Sequence, residues 1–157
     1  MKRLFALLFI AALLFTTSAC SEKKPPQPAA IKGRNVLSAL RDMRSAYEKK
    51  DLSSFMDNVA PAYQDRDALS RSLAAVFLKN ETIHFNIQYT KMLIMVEEKG
   101  TIKTTFNWDG EWLAFGGTTQ KNGGRVTLAF DPGSFKLMSI DGKNPFVPQP
   151  VETPGKQ

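Results

Sequence analysis

The chain has 157 residues, of which 43% are hydrophobic, and its 21 basic and 15 acidic side chains give a net charge of +6. The basic residues are spread along the chain and do not form a stripe with interleaved aromatic residues, which argues against nucleic-acid binding. A single cysteine excludes an internal disulfide. A single histidine leaves mainly carboxylates as metal ligands, and no Asp/Glu series matches a calcium loop.

Residues 1–19 have the order of a secretory signal peptide. Lys2 and Arg3 precede a twelve-residue apolar run, Leu4–Phe15, and small residues follow up to Ala19. The run is shorter than the ~20 apolar residues of a membrane-spanning helix. We therefore predict that residues 1–19 are removed, which leaves 19 basic against 15 acidic residues and lowers the net charge to +4.

The residues at the predicted cleavage point, Thr17-Ser18-Ala19-Cys20, resemble the lipobox of bacterial lipoproteins. The resemblance implies that the Cys20 thiol receives a diacylglyceryl group and that the new amine receives a further acyl chain, such as palmitate. Two or three chains anchor a protein stably, where one chain is marginal. Thr17 departs from the Leu that the family favours, and Thr17-x-Ala19 also fits ordinary secretion. An unmodified thiol at the mature N-terminus is therefore the alternative.

Residues 20–33 are predicted to form the lipidated cysteine and a flexible linker. Ser21–Gly33 has three prolines, three lysines and one large apolar residue, Ile31, so it buries too little surface to offset its ordering entropy. In an extended conformation it would reach roughly 40 Å at ~3.1 Å per residue. Ser21 stands where Asp often marks inner-membrane retention, which favours the periplasmic face of the outer membrane over the inner membrane.

Three helices are predicted in the first half of a single domain over residues 34–142. Asn35 is the predicted N-cap of the first helix and Asp51 that of the second, and Asp67 begins the third. Pro61 ends the second helix because it lacks a backbone donor. Apolar residues at helical spacing form the predicted buried faces: Val36, Leu40, Met43 and Tyr47; Leu52, Phe55, Met56 and Val59; Leu69, Leu73, Val76 and Phe77.

After Asn80 the apolar period changes from 3.6 to 2, which predicts a meander of five or six antiparallel strands. A change of parity near Thr90 predicts a break between two strands. Asp109-Gly110 predicts a two-residue hairpin, and that register would place Trp112 opposite Asn107 on an exposed face and Phe106 opposite Leu113.

Glycines and prolines predict the remaining connections. Gly116–Gly124 is predicted to be a hairpin loop around polar residues, and Asp131-Pro132-Gly133 is predicted to turn the chain into a last strand that closes at Gly142. Residues 143–157 include four prolines between Asn144 and Gln157 and show no periodicity, so we predict a disordered tail.

Helices followed by antiparallel strands predict an α+β fold, with the N-terminal helices packed in the concave face of a curved sheet. Two stretches, Tyr47–Leu69 and Val126–Gly142, resemble the nuclear transport factor 2-like superfamily, which has a cone-shaped α+β fold. A cystatin-like sheet wrapped on a single helix is the alternative. The resemblance implies that an enzyme of this kind would carry an Asp or Glu with a His or Tyr inside the cone, and that homodimerisation through the open sheet face is common.

The residues themselves predict no catalytic group. His84 alternates with Ile83 and Phe85, so it is predicted to face away from the core. Five amphipathic aromatic residues are candidates for a pocket or a protein contact, and the alternative is that they pack the cone and cap its rim. They are Tyr47, Tyr63, Tyr89, Trp108 and Trp112.

Together these features predict a membrane-anchored lipoprotein that acts as a non-catalytic binding or accessory module at the periplasmic face of a membrane. Acylated Cys20 would hold it to lipid, and its further partner would be a protein or a small apolar ligand. No cofactor or metal is predicted. The alternative is a small isomerase, cyclase or hydratase, which would need a carboxylate such as Asp57 or Asp131 near Tyr47 or Tyr63 inside the cone.

Overall fold

The computed structural model describes residues 28–97 and 100–148, so Cys20 and the predicted signal peptide lie outside the described residues. Within these ranges three helices precede a five-stranded antiparallel sheet, which confirms the predicted α+β fold class. The helices are α1 (Pro28–Glu48), α2 (Leu52–Asp57) and α3 (Arg66–Lys79). The strands are β1 (Asn80–Ile87), β2 (Leu93–Val96), β3 (Ile102–Ala114), β4 (Thr119–Phe130) and β5 (Leu137–Gly142).

Helix α1 begins earlier than predicted. It starts at Pro28, so the predicted N-cap at Asn35 is wrong and residues 28–33 of the predicted linker are helical. Proline is well suited to the first helical position, because its missing N–H has no intrahelical partner there, and two alanines follow it. The predicted apolar face of α1 is confirmed, since Val36, Leu40, Met43 and Tyr47 are all buried.

The two shorter helices lie near their predicted positions, but α2 ends at Asp57, four residues before Pro61, so Pro61 does not end it as predicted. Asp51 caps α2 by accepting hydrogen bonds from the backbone N (3.0 Å) and the Oγ (2.6 Å) of Ser54, and these bonds lower the pKa of the Asp51 carboxyl. Helix α3 begins at Arg66, so Asp67 lies in its first turn rather than at its cap. The predicted apolar stripe of α3 is buried along its whole length.

The predicted hairpin at Asp109-Gly110 is wrong, because β3 runs without interruption from Ile102 to Ala114. Gly110 serves a close approach instead of a turn: a Cβ there would lie 2.4 Å from Cη2 of the Trp112 indole, which occupies the same face of the strand. The true register pairs Phe106 with Val126 and Asn107 with Arg125.

Strand β3 is the centre of the sheet. The order is β1-β3-β4-β5, and β2 pairs with the first half of β3 on the same side as β1. A 3₁₀ turn at Tyr89–Lys91 separates β1 from β2, which confirms the predicted break near Thr90. The turn after β3 spans 115–118, so the predicted loop over Gly116–Gly124 is only half right, and Gly123 and Gly124 lie within β4.

Helices α1 and α3 both contact β1, and α2 packs against α1. This arrangement differs from a sheet wrapped on a single helix, the cystatin-like alternative. The core lies between these helices and the sheet face that carries Phe85, Phe106 and Trp108. No helix in 28–97 or 100–148 has the length and apolar character needed to cross a membrane.

The prediction that the domain ends at Gly142 is wrong, because the folded domain continues past β5. Phe146 is 1% exposed and belongs to the core, and Pro145 beside it is also buried. The prediction of a disordered tail is therefore wrong for residues 143–148, while 149–157 lie outside the described residues. The proline content of the tail concealed one large aromatic residue whose burial offsets the cost of ordering its neighbours.

Candidate functional site

An aromatic cluster fills the space between the helices and the concave face of the sheet. Tyr47 of α1 lies at its centre, and four phenylalanine rings have their centroids 5.4–6.1 Å from the Tyr47 ring. Trp108 and Trp112 of β3 extend the cluster, with their ring centroids 6.5 Å apart. The four phenylalanines are Phe55, Phe77, Phe85 and Phe146.

A chain of hydrogen bonds crosses this cluster and satisfies the Tyr47 hydroxyl. The Trp112 indole Nε1 donates to Tyr47 Oη at 2.8 Å, and Tyr47 Oη donates to the backbone carbonyl of Phe146 at 2.9 Å. Burial raises the pKa of Tyr47 well above its ordinary value, although the bond from Trp112 acts in the opposite direction. Tyr47 is therefore held neutral and fully bonded, as a structural group would be.

Trp112 is not the exposed contact that we predicted. It is 1% exposed, because the continuous β3 places it on the same concave face as Trp108 and pairs it with Ile83 of β1 and Gln120 of β4. Tyr47 and Trp108 are also buried, so three of the five candidate aromatic residues pack the inside of the cone.

Trp108 differs from Trp112 in the state of its donor. Trp108 Nε1 is buried and has no hydrogen-bond partner. Gly124 and the aliphatic part of Lys143 cover that edge of the indole, since a Cβ at Gly124 would lie 3.7 Å from Nε1 and 3.4 Å from Lys143 Cδ. An unpaired buried donor costs stability, so Trp108 contributes through its apolar surface alone.

The two remaining candidates lie at the rim. Tyr63 and Tyr89 are half-buried, and both pack against the edge of the core. Tyr63 lines a shallow recess of about 300 Å³ together with Asp65, Asn144 and Val147. Burial raises the pKa of Tyr63, and the nearby charge of Asp65 acts in the same direction.

The ionisable groups that acid–base catalysis would need lie outside the cone. Asp57 is exposed, and Asp131 bonds within its own turn to Gly133 and Ser134, which lowers its pKa. His84 is exposed, as predicted. Apart from aromatic residues, the only polar residues that are buried among those whose side chains the structure describes are Asn80 and Thr104. The described part of the chain holds no group of three His, Cys, Asp or Glu that could bind a metal.

A further recess, which sequence reasoning did not identify, is a polar groove of about 610 Å³. It runs from α1 across the polar residues of three strands, which alternate with core residues and so share a face only once the register is known. We call it the polar groove. Its charged and polar lining includes Arg44, Glu48, His84, Asp109, Glu111 and Lys121.

Two short interactions hold the side chains of the polar groove in place. Lys121 Nζ lies 2.9 Å from Glu111 Oε2, and Asn86 Nδ2 donates to Asp109 Oδ1 at 3.0 Å. Both pairs bridge neighbouring strands and are largely solvent-exposed, so each adds little to stability. They present fixed donors and acceptors of both charge signs on one surface.

Helix α1 forms a wall of the polar groove, and α1 and the turn after it together cover the free edge of β1. Glu48 Oε1 accepts from the backbone N of Phe85 at 2.9 Å, and Lys50 Nζ donates to the carbonyls of Asn80 and Glu81 at 3.0 Å. Side chains thereby satisfy backbone groups that an edge strand would otherwise offer to another chain. Arg44 Nη2 contacts the same Glu48 oxygen at 3.3 Å.

Solved structures share this fold at low sequence identity. An NTF2-like superfamily protein from Salmonella enterica serovar Typhimurium aligns with a TM-score of 0.63 and 10% identity over 80% of this chain and 98% of its own. A putative aromatic ring hydroxylase from Novosphingobium aromaticivorans aligns with a TM-score of 0.63 and 10% identity over 70% and 86%. A putative dehydratase of the NTF2-like family from Streptomyces avermitilis aligns with a TM-score of 0.55 and 19% identity over 68% and 91%.

The chain therefore has the NTF2-like fold, as the two quoted stretches predicted. No protein-family model and no curated protein sequence matches it. At these identities the similarity extends to the fold alone, and function has to be argued from the residues of this chain.

Proposed function

We propose that the protein is a lipid-anchored, non-catalytic binding or accessory module at the periplasmic face of a bacterial membrane, with the outer membrane favoured by Ser21. One observation carries the non-catalytic part. The cone is filled by the rings of the chain itself, and Tyr47, the ionisable group at its centre, is bonded on both sides and held neutral.

An isomerase, cyclase or hydratase is the weaker candidate. Such chemistry needs an acid or base within hydrogen-bond reach of a substrate inside a pocket. Asp57 and Asp131, the carboxylates that the enzyme hypothesis required near Tyr47 or Tyr63, lie away from the cone interior. The side chain of Phe146 occupies the space next to Tyr47 that a substrate would need.

The anchor is supported by the sequence Thr17–Cys20 and by the order of the preceding residues. Fractionation of cells that express the wild-type chain or Cys20→Ala tests it. We expect the wild-type protein in the membrane pellet after a high-salt wash and Cys20→Ala in the soluble fraction, because the thiol is the attachment point of the diacylglyceryl group. Equal distribution of the two proteins would contradict the anchor.

The polar groove is the surface that we assign to a partner protein. Its fixed charges of both signs suit a polar, solvated interface, where complementary charge sets specificity more than affinity. Cross-linking in intact cells tests this assignment with the charge reversals Asp109→Lys and Lys121→Glu. Both side chains are exposed, and the cross-strand pairs that they form add little to stability, so the fold should survive.

The matched control is Arg71→Glu, an exposed charge reversal on α3 outside the polar groove. We expect the same cross-linked species with the wild-type protein and Arg71→Glu and its loss with both groove variants. A species that persists in all of them would remove the polar groove as the contact. Homodimerisation, the other proposed association, would appear in this experiment as a species of twice the chain mass.

A further inference from the structure

Strand β2 carries a patch of apolar side chains that the described chain leaves half uncovered. Leu93 is 51% exposed and Met95 46%, and these two side chains share one face of the strand, while Val96, 42% exposed, lies on the other face with Ile94. We call Leu93 and Met95 the β2 patch. Strand β2 pairs with β3 along one side only, so its other edge is also free of a neighbouring strand in the described chain. Large apolar residues that cluster on a surface commonly mark a contact with a protein or a membrane.

The β2 patch lies at the end of the domain where the chain enters from its N-terminus. A Cβ at Gly33 in α1 would lie 3.9 Å from Cδ1 of Ile94, the residue between Leu93 and Met95. Gly33 is five residues after Pro28, which corresponds to about 8 Å along a helix. Ile31, between them in α1, is also exposed.

The early start of α1 shortens the segment between this end of the domain and Cys20. Seven residues lie between Cys20 and Pro28, so the eight steps from one to the other span at most about 29 Å at ~3.6 Å per step when fully extended. A globular chain of about 120 residues has a radius of gyration of roughly 14 Å. An anchor at Cys20 would therefore hold the domain within about one diameter of the bilayer, with the β2 end nearest to it.

We propose that the β2 patch docks onto the lipid bilayer that anchors Cys20, with Leu93 and Met95 entering the boundary between head groups and acyl chains. The proposal rests on the lipid anchor of the proposed function. A short tether raises the effective concentration of the patch at the membrane to the millimolar range, so a small apolar contact is sufficient.

The charges around the β2 patch are compatible with a lipid surface. Glu97 at the end of β2 is paired with Lys103 at 2.7 Å, and that pairing raises the pKa of Lys103, so the carboxylate is neutralised locally. Lys91, which precedes the strand, is exposed. Together with the net charge of +4 predicted for the mature chain, these residues favour anionic head groups over neutral ones.

Amide hydrogen exchange on a chemically tethered protein tests the docking. The chain from Cys20 to Gln157 contains every described residue and one thiol, which can be coupled to a maleimide lipid in vesicles of phosphatidylcholine and phosphatidylglycerol. We expect exchange of residues 93–96 to be about tenfold slower on vesicles than for the same chain in solution. Exchange near Leu78 on α3 should be unchanged.

A double substitution in the β2 patch and a control substitution on α3 identify the surface. Leu93→Asp combined with Met95→Asp should abolish the slowing, because carboxylates oppose entry into lipid. Leu78→Asp changes a leucine that is 80% exposed on α3 and should retain it. Absence of slowing in the wild-type protein, or slowing that survives Leu93→Asp with Met95→Asp, would overturn the proposal. If residues 93–96 already exchange slowly without vesicles and the protein has the mass of a dimer, a second copy of the chain covers the patch and the proposal is overturned.

The chemical tether separates this proposal from the one on which it rests. If Cys20→Ala fractionates like the wild-type protein, the native anchor is wrong, whatever the vesicles show. If the native anchor is confirmed and the vesicles show no slowing at residues 93–96, the anchor stands and the docking is wrong.

Discussion

The inside of the cone and the free edge of β2 are both rich in apolar side chains, and they differ in how those side chains are covered. Inside the cone, rings from α1, β3 and the C-terminal segment enclose one another, and Tyr47, Trp112 and Phe146 are 0–1% exposed. At the edge, Leu93 and Met95 remain about half exposed.

The difference in coverage separates a region that stabilises the fold from a surface that is available for contacts. The chain covers the cone with its own residues, down to the Phe146 carbonyl that accepts from Tyr47, so the cone acts as a core. The β2 patch has no equivalent cover from the described chain, and it lies beside the segment that leads to Cys20. The cone, where the enzyme hypothesis would place its pocket, is filled by the chain's own rings, and both proposed contacts lie on outer surfaces.

Removing the aromatic ring that closes the cone should have the largest effect on stability. Phe146→Ala deletes a ring packed against Tyr47, Phe55 and Phe85 and leaves a cavity, so we expect the free energy of unfolding to fall by about 3–5 kcal/mol. Urea denaturation measures it. The control is Phe115→Ala, where the ring is exposed and contacts Lys50 only from 5.3 Å, and we expect a loss below about 1 kcal/mol. Equal losses would show that Phe146 is not part of the core.

The buried Tyr47 hydroxyl predicts a loss of stability in alkali. Burial raises the pKa of Tyr47 in the folded state, so above pH ~10 the unfolded chain loses the tyrosine proton while the folded chain keeps it. The contribution of neutral Tyr47 to the free energy of unfolding is fully present below the pKa of tyrosine in the unfolded chain, and the free energy falls by about 1.4 kcal/mol per pH unit above it. Tyr47→Phe lacks this dependence, so its deficit relative to the wild-type protein at neutral pH should narrow between pH 10 and 12. Parallel profiles would contradict the assignment.

The two tryptophans of β3 offer a comparison within the cone. Trp112→Phe removes a donor to Tyr47, whereas Trp108→Phe removes a donor that has no partner. The loss of ring volume is the same in both, so the difference between the two free energies of unfolding isolates the hydrogen bond. We expect Trp112→Phe to be less stable than Trp108→Phe by about 1 kcal/mol. Thermal or urea denaturation of both variants measures it, and the reverse order would exclude the proposed bond chain.

The smallest effect on stability is expected at the β2 patch. Leu93→Asp and Met95→Asp replace half-exposed side chains, so the free energy of unfolding in solution should change by no more than about 0.5 kcal/mol each. Urea denaturation without lipid measures it, with Leu78→Asp as the exposed control. A loss of several kcal/mol would show that these side chains are covered in the folded protein, as those inside the cone are.

Local patterns predicted the helices well and the sheet only in part. The stripe on α1 and the Asp51 cap depend on neighbouring residues, and the structure confirms both. The hairpin predicted at Asp109-Gly110 is wrong because the same dipeptide also occurs in a strand where an indole lies over the glycine. The wrong register led to the wrong prediction that Trp112 lies on an exposed face, whereas it lies in the core.

Local patterns could not predict the contacts inside the cone either, because these contacts join residues far apart in the sequence. Tyr47 and Phe146 are 99 positions apart, and only the folded sheet brings the hydroxyl to the carbonyl. The single aromatic residue between Pro145 and Pro148 was a signal for burial that the proline content outweighed. The polar groove likewise depends on cross-strand register, which alternation along one strand does not determine.

The mass of the mature protein extracted from bacterial membranes is the most direct test of the lipid anchor. We expect a chain that begins at Cys20 and carries the added mass of a diacylglyceryl group and an acyl chain. An unmodified chain that begins at Cys20 would contradict it. The protein would then be secreted with a free thiol, and neither the anchor nor the membrane docking of the β2 patch would have a basis in the cell.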